Sequence, residues 1–110
     1  MTKTEILEWL ESEIQGYPER VTGNECEDFI VRLAGDVVES ERTKLAEAMR
    51  DWIVQRGRRT LLAIWIAEEY RLRELEPDIR CLLEDVKAGK AFSRYYEELI
   101  APALKRIEGN

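Results

Sequence analysis

Seven consecutive apolar residues, 61–67, constrain the fold of this chain more than any other feature. The run continues into Glu68, Glu69 and Tyr70, so the segment is too long, and too rich in Ala and Glu, for a buried strand. It predicts a helix from about Arg58 to Tyr70. Because that helix has almost no polar face, it must be covered on several sides, which requires other helices stacked around it.

The N-terminal part of the chain predicts two helices separated by a loop. Thr2 and Glu5 fit a capping box, in which the Thr side chain accepts from a free backbone N–H and the Glu side chain reaches back. Gly16, followed by Tyr-Pro, ends the first helix. A loop through residues 23–24 precedes a second helix from about Glu25, whose acidic start suits the positive end of the helix dipole.

Turn and cap residues divide the remainder into four helices, which brings the total to about six. Ser40 is predicted to cap a third helix, and Gly57 fits the position just after its end. After the apolar helix, Pro77 suits the first turn of a fifth helix that Gly89 ends. A sixth helix begins near Phe92, and Pro102 inside it predicts a kink or an early stop.

The apolar helix and the helix after it resemble a HEAT-like repeat junction. Small residues at helical spacing lead through a short polar corner to a Leu-x-Pro start: Arg59-x-x-x-Ala63-x-x-x-Ala67, then Leu75-x-Pro77-x-Ile79-x-x-Leu82-Leu83-x-Asp85. This resemblance covers residues 59–85. It implies an all-α fold in which the six helices form three stacked antiparallel hairpins, a short α-α superhelix that binds partners along a surface.

Charge is distributed unevenly over the chain, which we expect to form one domain over residues 1–110. The net charge is −6, yet residues 1–40 carry 3 basic and 10 acidic groups while residues 41–110 carry 14 and 13. An acidic balance argues against nucleic-acid binding, which normally requires concentrated basic charge. It permits a basic protein partner, although acidic helices also serve solubility alone.

The residues that most enzymes and metal sites use are scarce. There is no histidine, which removes His-based triads and His-containing zinc sites. Cys26 and Cys81 lie on predicted apolar faces, where they would be buried free thiols. Adjacent carboxylates on a helix diverge by about 100° and do not converge on one site. We therefore expect neither catalysis nor a bound metal or cofactor.

The sequence also predicts a cytoplasmic protein. Acidic residues interrupt the N-terminal stretch where a signal peptide needs an apolar core. The longest apolar run, residues 61–67, is far shorter than a membrane span. We expect no membrane contact.

Candidate partner-binding residues form two basic clusters and one acidic face. Arginines lie at the start of the apolar helix, at its end, and one turn into the next helix: Arg56, Arg58 and Arg59; Arg71 and Arg73; Arg80. Twelve helical residues separate the clusters by roughly 18 Å. They are either solvated charges with local ion pairs to nearby glutamates or anchors for an acidic partner segment.

The three tryptophans differ in their predicted burial. Trp52 and Trp65 are predicted core residues because aromatics at helical spacing usually pack inside. Trp9 lies off the main apolar stripe of the first helix and is predicted to be the more exposed one, beside Glu8 and Glu11.

These patterns favour a small non-catalytic helical protein-interaction module, an adaptor or an assembly subunit, for which a homodimer is one possible form. The alternative is an acidic inhibitor or immunity-type protein that neutralises a basic enzyme such as a nuclease, with the acidic N-terminal helices steering association. Nucleic-acid binding through the arginines is a third hypothesis, which the net charge opposes.

Overall fold

A computed structural model of the protein describes residues 1–18 and 25–109. Every regular element in these ranges is helical, which confirms the all-α class. The helices are α1 (Lys3–Gly16), α2 (Glu25–Gln55), α3 (Thr60–Glu69), α4 (Glu76–Lys87) and α5 (Glu97–Glu108). Short 3-10 turns, Arg73–Leu75 and Arg94–Tyr96, precede α4 and α5. The chain divides into two compact units, Met1–Ala48 and Met49–Asn110, and the single domain expected above stays a prediction.

The described residues form five helices where six were expected, because α2 replaces the second and third predicted helices. It is 31 residues long and contains one non-helical residue, Glu41, with φ −133° and ψ 33°. Ser40, the predicted cap, lies immediately before the kink at Glu41. No Gly or Pro occurs between residues 36 and 56, so the chain is helical on both sides of the kink and the two predicted helices are joined.

None of the described helices, α2 included, is both long enough and apolar enough to cross a membrane. Charged residues occur along α2 from Glu25 to Arg50, which accounts for this in the longest helix. The compartment in which the protein resides stays a prediction.

The first unit contains α1 and the N-terminal part of α2. The predicted capping box is present, since the Glu5 amide donates to Thr2 Oγ1 at 3.1 Å and the Thr2 amide donates to Glu5 Oε1 at 3.0 Å. The hydrogen bond from the Thr2 backbone lowers the pKa of the Glu5 carboxyl below its ordinary value. Gly16 ends the helix as predicted. The loop predicted through residues 23–24 lies outside the described residues.

Two contacts show that α1 runs antiparallel to the first half of α2. The Met1 nitrogen lies 3.0 Å from Glu41 Oε1, and the rings of Tyr17 and Phe29 lie 5.2 Å apart. The start of α1 is thus near residue 41 and its end is near residue 29. The apolar side chains that this hairpin buries follow helical spacing: Ile6, Leu10, Ile30, Ala34 and Val37.

The second unit is built around α3. The burial of α3 confirms that this apolar helix is covered by other parts of the chain. α5 packs against both α3 and α4. Six of the ten residues of α3 are buried: Thr60, Leu62, Ala63, Ile64, Ile66 and Ala67. The unit also buries apolar residues at the end of α2 and on α4 and α5: Met49, Trp52, Ile53, Ile79, Leu82, Val86, Ile100, Ala103 and Ile107.

The corner between α2 and α3 depends on one buried polar side chain. Thr60 has no exposed surface. Its hydroxyl donates to the Trp52 carbonyl at 2.8 Å and accepts from the Gly57 amide at 2.9 Å. Both backbone groups are therefore satisfied where the chain leaves one helix and enters the next, which buried polar groups require.

The residue with a left-handed conformation at this corner is Arg56, with φ 53°, and not the predicted Gly57. A non-glycine residue in this region carries a cost of about 1–2 kcal/mol. The Arg56 side chain offsets it, since Nη1 donates to the Ile53 carbonyl at 2.7 Å and Nη2 donates to Asp85 at 3.1 Å. Arg56 thus combines a left-handed backbone conformation with an ion pair to α4.

The later helix boundaries agree with the sequence in two of three places. Pro77 lies in the first turn of α4, and Gly89, with φ 76°, follows its end. At Pro102 either a kink or an early stop was expected; the early stop does not occur, because α5 continues to Glu108, and the kink stays a prediction. The proline removes the amide that would bond the Glu98 carbonyl. Both Pro102 and Glu98 are exposed, so water can satisfy that carbonyl.

Replacing Thr60 by Val tests the role of the buried hydroxyl. The Gly57 amide and the Trp52 carbonyl would lose their partner at nearly constant side-chain volume, so we expect the free energy of unfolding to fall by about 2 kcal/mol. Thr43, which is exposed on α2, is the matched control, and Thr43→Val should change stability by less than about 0.5 kcal/mol. Urea unfolding followed by circular dichroism measures both; equal effects would contradict the assignment.

Candidate functional site

Arg56 and Arg80, two of the predicted partner-binding arginines, form ion pairs between helices. Arg56 Nη2 lies 3.1 Å from Asp85 Oδ2, which ties the end of α2 to α4. Arg80 Nη2 lies 2.7 Å from Glu108 Oε1 and also contacts Glu76. These carboxylates raise the pKa of the Arg80 guanidinium. Both arginines therefore have a role inside the fold, which corresponds to the local ion-pair interpretation of the clusters.

Two arginines outside the predicted set do the same. Arg50 Nε lies 2.9 Å from Asp78 Oδ2 and also donates to the Glu74 carbonyl, which joins α2 to the start of α4. Arg106 Nη1 lies 2.8 Å from Glu68 Oε1 and joins α5 to α3. Sequence reasoning missed these pairs because their partners are 28 and 38 residues away along the chain.

The other predicted arginines differ in their exposure and in what they contact. Arg58 is exposed and Arg59 is half-buried. Arg71 has φ 48° and ends α3. Arg73 lies against Gly109, where its guanidinium occupies the space that a Cβ would need. A cation at the end of α5 complements the negative end of that helix dipole.

Arg71 occupies the left-handed position of a Schellman motif. The Leu72 amide donates to the Ala67 carbonyl at 2.9 Å, and the Arg71 amide donates to the Glu68 carbonyl at 3.4 Å. Leu72 and Ala67 are both fully buried, which supplies the apolar contact that usually accompanies this motif. The backbone of Arg71 thus has a structural role at the α3–α4 corner.

The acidic face of the first unit is present on exposed residues. Glu8 is exposed, whereas Glu11 and Trp9 are half-buried, so Trp9 is less accessible than expected. Trp52 is buried as predicted, while Trp65 is half-buried. On α2 four exposed carboxylates follow helical spacing, with the exposed Arg32 among them, and form what we call the acidic stripe: Glu25, Asp28, Asp36 and Glu39.

Neither described cysteine forms a disulfide, and Cys81 contradicts its predicted burial. Cys26 is half-buried and Cys81 is exposed. Cys81 misses the buried stripe of α4, which runs through Ile79, Leu82 and Val86. Its Sγ lies 3.8 Å from Arg56 Nη2, so it borders the Arg56–Asp85 ion pair.

An exposed aromatic cluster lies between α4 and α5. The ring of Tyr96 lies 5.3 Å from that of Phe92 and 6.0 Å from that of Tyr95. Tyr95 is 66% exposed, and Leu99, one helical turn further on, is 38% exposed. The described residues contain few large apolar side chains this accessible, and two of them lie within five residues of one another here.

Basic charge surrounds these aromatics, although the whole chain is acidic. Residues 86–96 contain three cations and no carboxylate. The cations, Lys87, Lys90 and Arg94, are all exposed. The nearest exposed acid after them is Glu98 in the first turn of α5. We call residues 87–99 the basic–aromatic corner.

The backbone of the corner contains a strained residue. Phe92 has φ 51°, a conformation that is an outlier for a bulky residue. The Tyr96 amide donates to the Ser93 carbonyl at 3.0 Å and closes the 3-10 turn that follows. Strained positions of this kind concentrate at functional sites, so an observed outlier supports a functional hypothesis.

Sequence reasoning placed Phe92, Tyr95 and Tyr96 within the last helix and so missed the corner. The signal that could have located it is the pair Glu97-Glu98, because acidic residues favour the first turn of a helix. A helix beginning at residue 97 leaves the aromatics in the connection, where side chains are exposed.

Comparisons with models of protein families, with curated proteins and with solved structures found no match to this chain. Within residues 1–18 and 25–109, no group of three or more Cys, Asp or Glu side chains is arranged to hold a metal ion. The candidate site is therefore described by its own geometry: an exposed aromatic cluster, strained at Phe92 and flanked by three cations.

The division between structural and exposed arginines can be tested on two neighbours. Arg56→Gln removes the ion pair to Asp85 and should lower the free energy of unfolding by about 1 kcal/mol. Arg58→Gln removes an exposed charge two residues away and should change it by less than about 0.5 kcal/mol. Urea unfolding of both variants decides the matter, and a larger loss for Arg58→Gln would contradict the assignment.

Proposed function

We propose that this protein is a small non-catalytic helical protein-interaction module, an adaptor or an assembly subunit, and that the basic–aromatic corner is its contact face. The observation that carries the proposal is the exposure of Tyr95 at 66%, with the partly exposed Leu99 four residues further along the chain. Exposed aromatic and aliphatic side chains that occur together are typical of interaction sites.

The composition of the corner supports a protein partner. Tyr and Arg are enriched among the residues that dominate binding energy, and both occur here as exposed neighbours, Arg94 and Tyr95. Tyrosine provides a large contact area at a low cost in side-chain entropy. Phe92 and Tyr96 lie beneath as half-buried rings, so the exposed ring has a fixed support.

We further propose that α3 and α4 form a HEAT-like junction within a short helical stack. The 3-10 turn Arg73–Leu75, the fully buried Leu75 and the proline in the first turn of α4 support this proposal. The stacked hairpins and a homodimer built from them remain proposals. We also propose a cytoplasmic location. Neither Cys26 nor Cys81 forms a disulfide, which agrees with a reducing compartment.

The second candidate is an acidic inhibitor or immunity-type protein that neutralises a basic enzyme such as a nuclease. The acidic stripe on α2 and the exposed Glu8 on α1 favour it, because aligned exposed carboxylates accelerate encounter with a cationic partner. This candidate uses the first unit, whereas the corner belongs to the second, so the two candidates can be separated by experiment.

A photo-crosslinking amino acid placed at Tyr95 tests the proposed function in the native host. We expect a discrete adduct with one partner protein, which disappears when Arg94→Glu is added. Val54, 60% exposed on α2, is the matched control position and should give no such adduct. Mass spectrometry identifies the partner.

Three outcomes distinguish the candidates. An adduct from Tyr95 alone supports the corner. An adduct from a crosslinker at Glu8 alone supports the acidic inhibitor instead. The same set of adducts from Tyr95 and from Val54 indicates collisional labelling and overturns the proposal.

A further inference from the structure

We propose that the basic–aromatic corner binds an acidic protein segment that carries an aromatic or aliphatic side chain. This inference rests on the proposed function and specifies the chemistry of its partner. It combines two properties of the same surface, the local excess of cations and the exposed apolar pair.

The charge of the corner selects an acidic partner. Lys87, Lys90 and Arg94 lie within eight residues of one another and are exposed, with no carboxylate between residues 86 and 96. Elsewhere in this unit four arginines have a carboxylate partner on another helix: Arg50, Arg56, Arg80 and Arg106. The corner cations lie in a stretch of sequence without acidic residues, with Glu84 before it and Glu97 and Glu98 after it, and like charges on a partner would be repelled.

The apolar part of the corner selects a side chain on that partner. Leu99 and Pro102 are exposed in α5 at positions i and i+3, and Tyr95 is exposed in the 3-10 turn that leads into this helix. The i, i+3 spacing places Leu99 and Pro102 on one face of α5. An aromatic or aliphatic residue of the partner can pack against this face while its neighbouring carboxylates meet the cations.

A protein segment fits the corner better than a nucleic acid does. Proteins that bind nucleic acid commonly neutralise about six to ten phosphates, and the corner offers three cations on a chain whose net charge is −6. A second copy of the chain, whose own first 40 residues are acidic, is a competing occupant that experiment can recognise.

Nuclear magnetic resonance on the ¹⁵N-labelled full chain tests the proposal. The probes are a short Asp/Glu-rich peptide that contains Phe and Leu, the same peptide with Phe and Leu changed to Ala, and a peptide in which Lys replaces the acids. We expect the first peptide to shift the amides of Lys90, Arg94, Tyr95 and Leu99 and to bind the most tightly. Both controls should bind at least about fivefold more weakly.

Matched variants locate the interaction. Arg94→Glu should weaken the acidic peptide at least about fivefold, whereas Arg58→Glu, the same charge change at an exposed site of the same unit, should leave its affinity unchanged. Glu98→Lys should strengthen binding. Tyr95→Ala should weaken it by about tenfold, whereas Val54→Ala should have no effect.

Several results would overturn the inference. If the Lys peptide binds as tightly as the acidic peptide, charge does not select the partner. Tighter binding of oligo-thymidylate than of the acidic peptide identifies a nucleic-acid site. Corner shifts that depend only on protein concentration identify a second copy. If the acidic peptide fails to bind while the Tyr95 crosslinker still captures a partner, the acidic chemistry is wrong and the interaction function stands. If the peptide does not bind and the crosslinker captures no partner, both the inference and the proposed function are overturned.

Discussion

The burial of α3 is the constraint on which the second unit depends. A helix with six buried positions in ten residues cannot remain in water without a large cost in apolar exposure. α5 packs against it, and the Thr60 hydroxyl satisfies the backbone where α2 ends. Because this helix is committed to the core, it offers little surface for binding, and the functional residues must lie at its periphery or on its neighbours.

The same packing explains how the arginines of the unit are used. Helices that crowd around α3 leave their charged residues along the edges, where Arg56 meets Asp85 and Arg106 meets Glu68. Partly exposed pairs of this kind contribute little stability each, but they define which helices adjoin. The cations between α4 and α5 follow another pattern, since residues 86–96 contain no carboxylate. Charge that the fold does not neutralise locally is the charge available to a partner.

Local signals in the sequence predicted helix ends well where the backbone alone decides them. Thr2 with Glu5, Pro77 and Gly89 lie where capping and turn chemistry place them. Other signals were less exact. The break predicted at Ser40 is a kink at Glu41 inside α2, and the left-handed residue at the end of α2 is Arg56, which pairs with Asp85, and not Gly57. The basic–aromatic corner could not be predicted from helical spacing, because Phe92 leaves that spacing with a positive φ.

The central claim is that the exposed aromatic corner serves binding and not the fold. Its most direct test is the free energy of unfolding of a Tyr95→Ser variant, measured in urea beside the parent protein. Because the Tyr95 side chain is 66% exposed, the account predicts a change of less than about 0.5 kcal/mol, together with loss of partner capture. A loss of about 2 kcal/mol or more would show that the cluster packs as part of the core and would contradict the account.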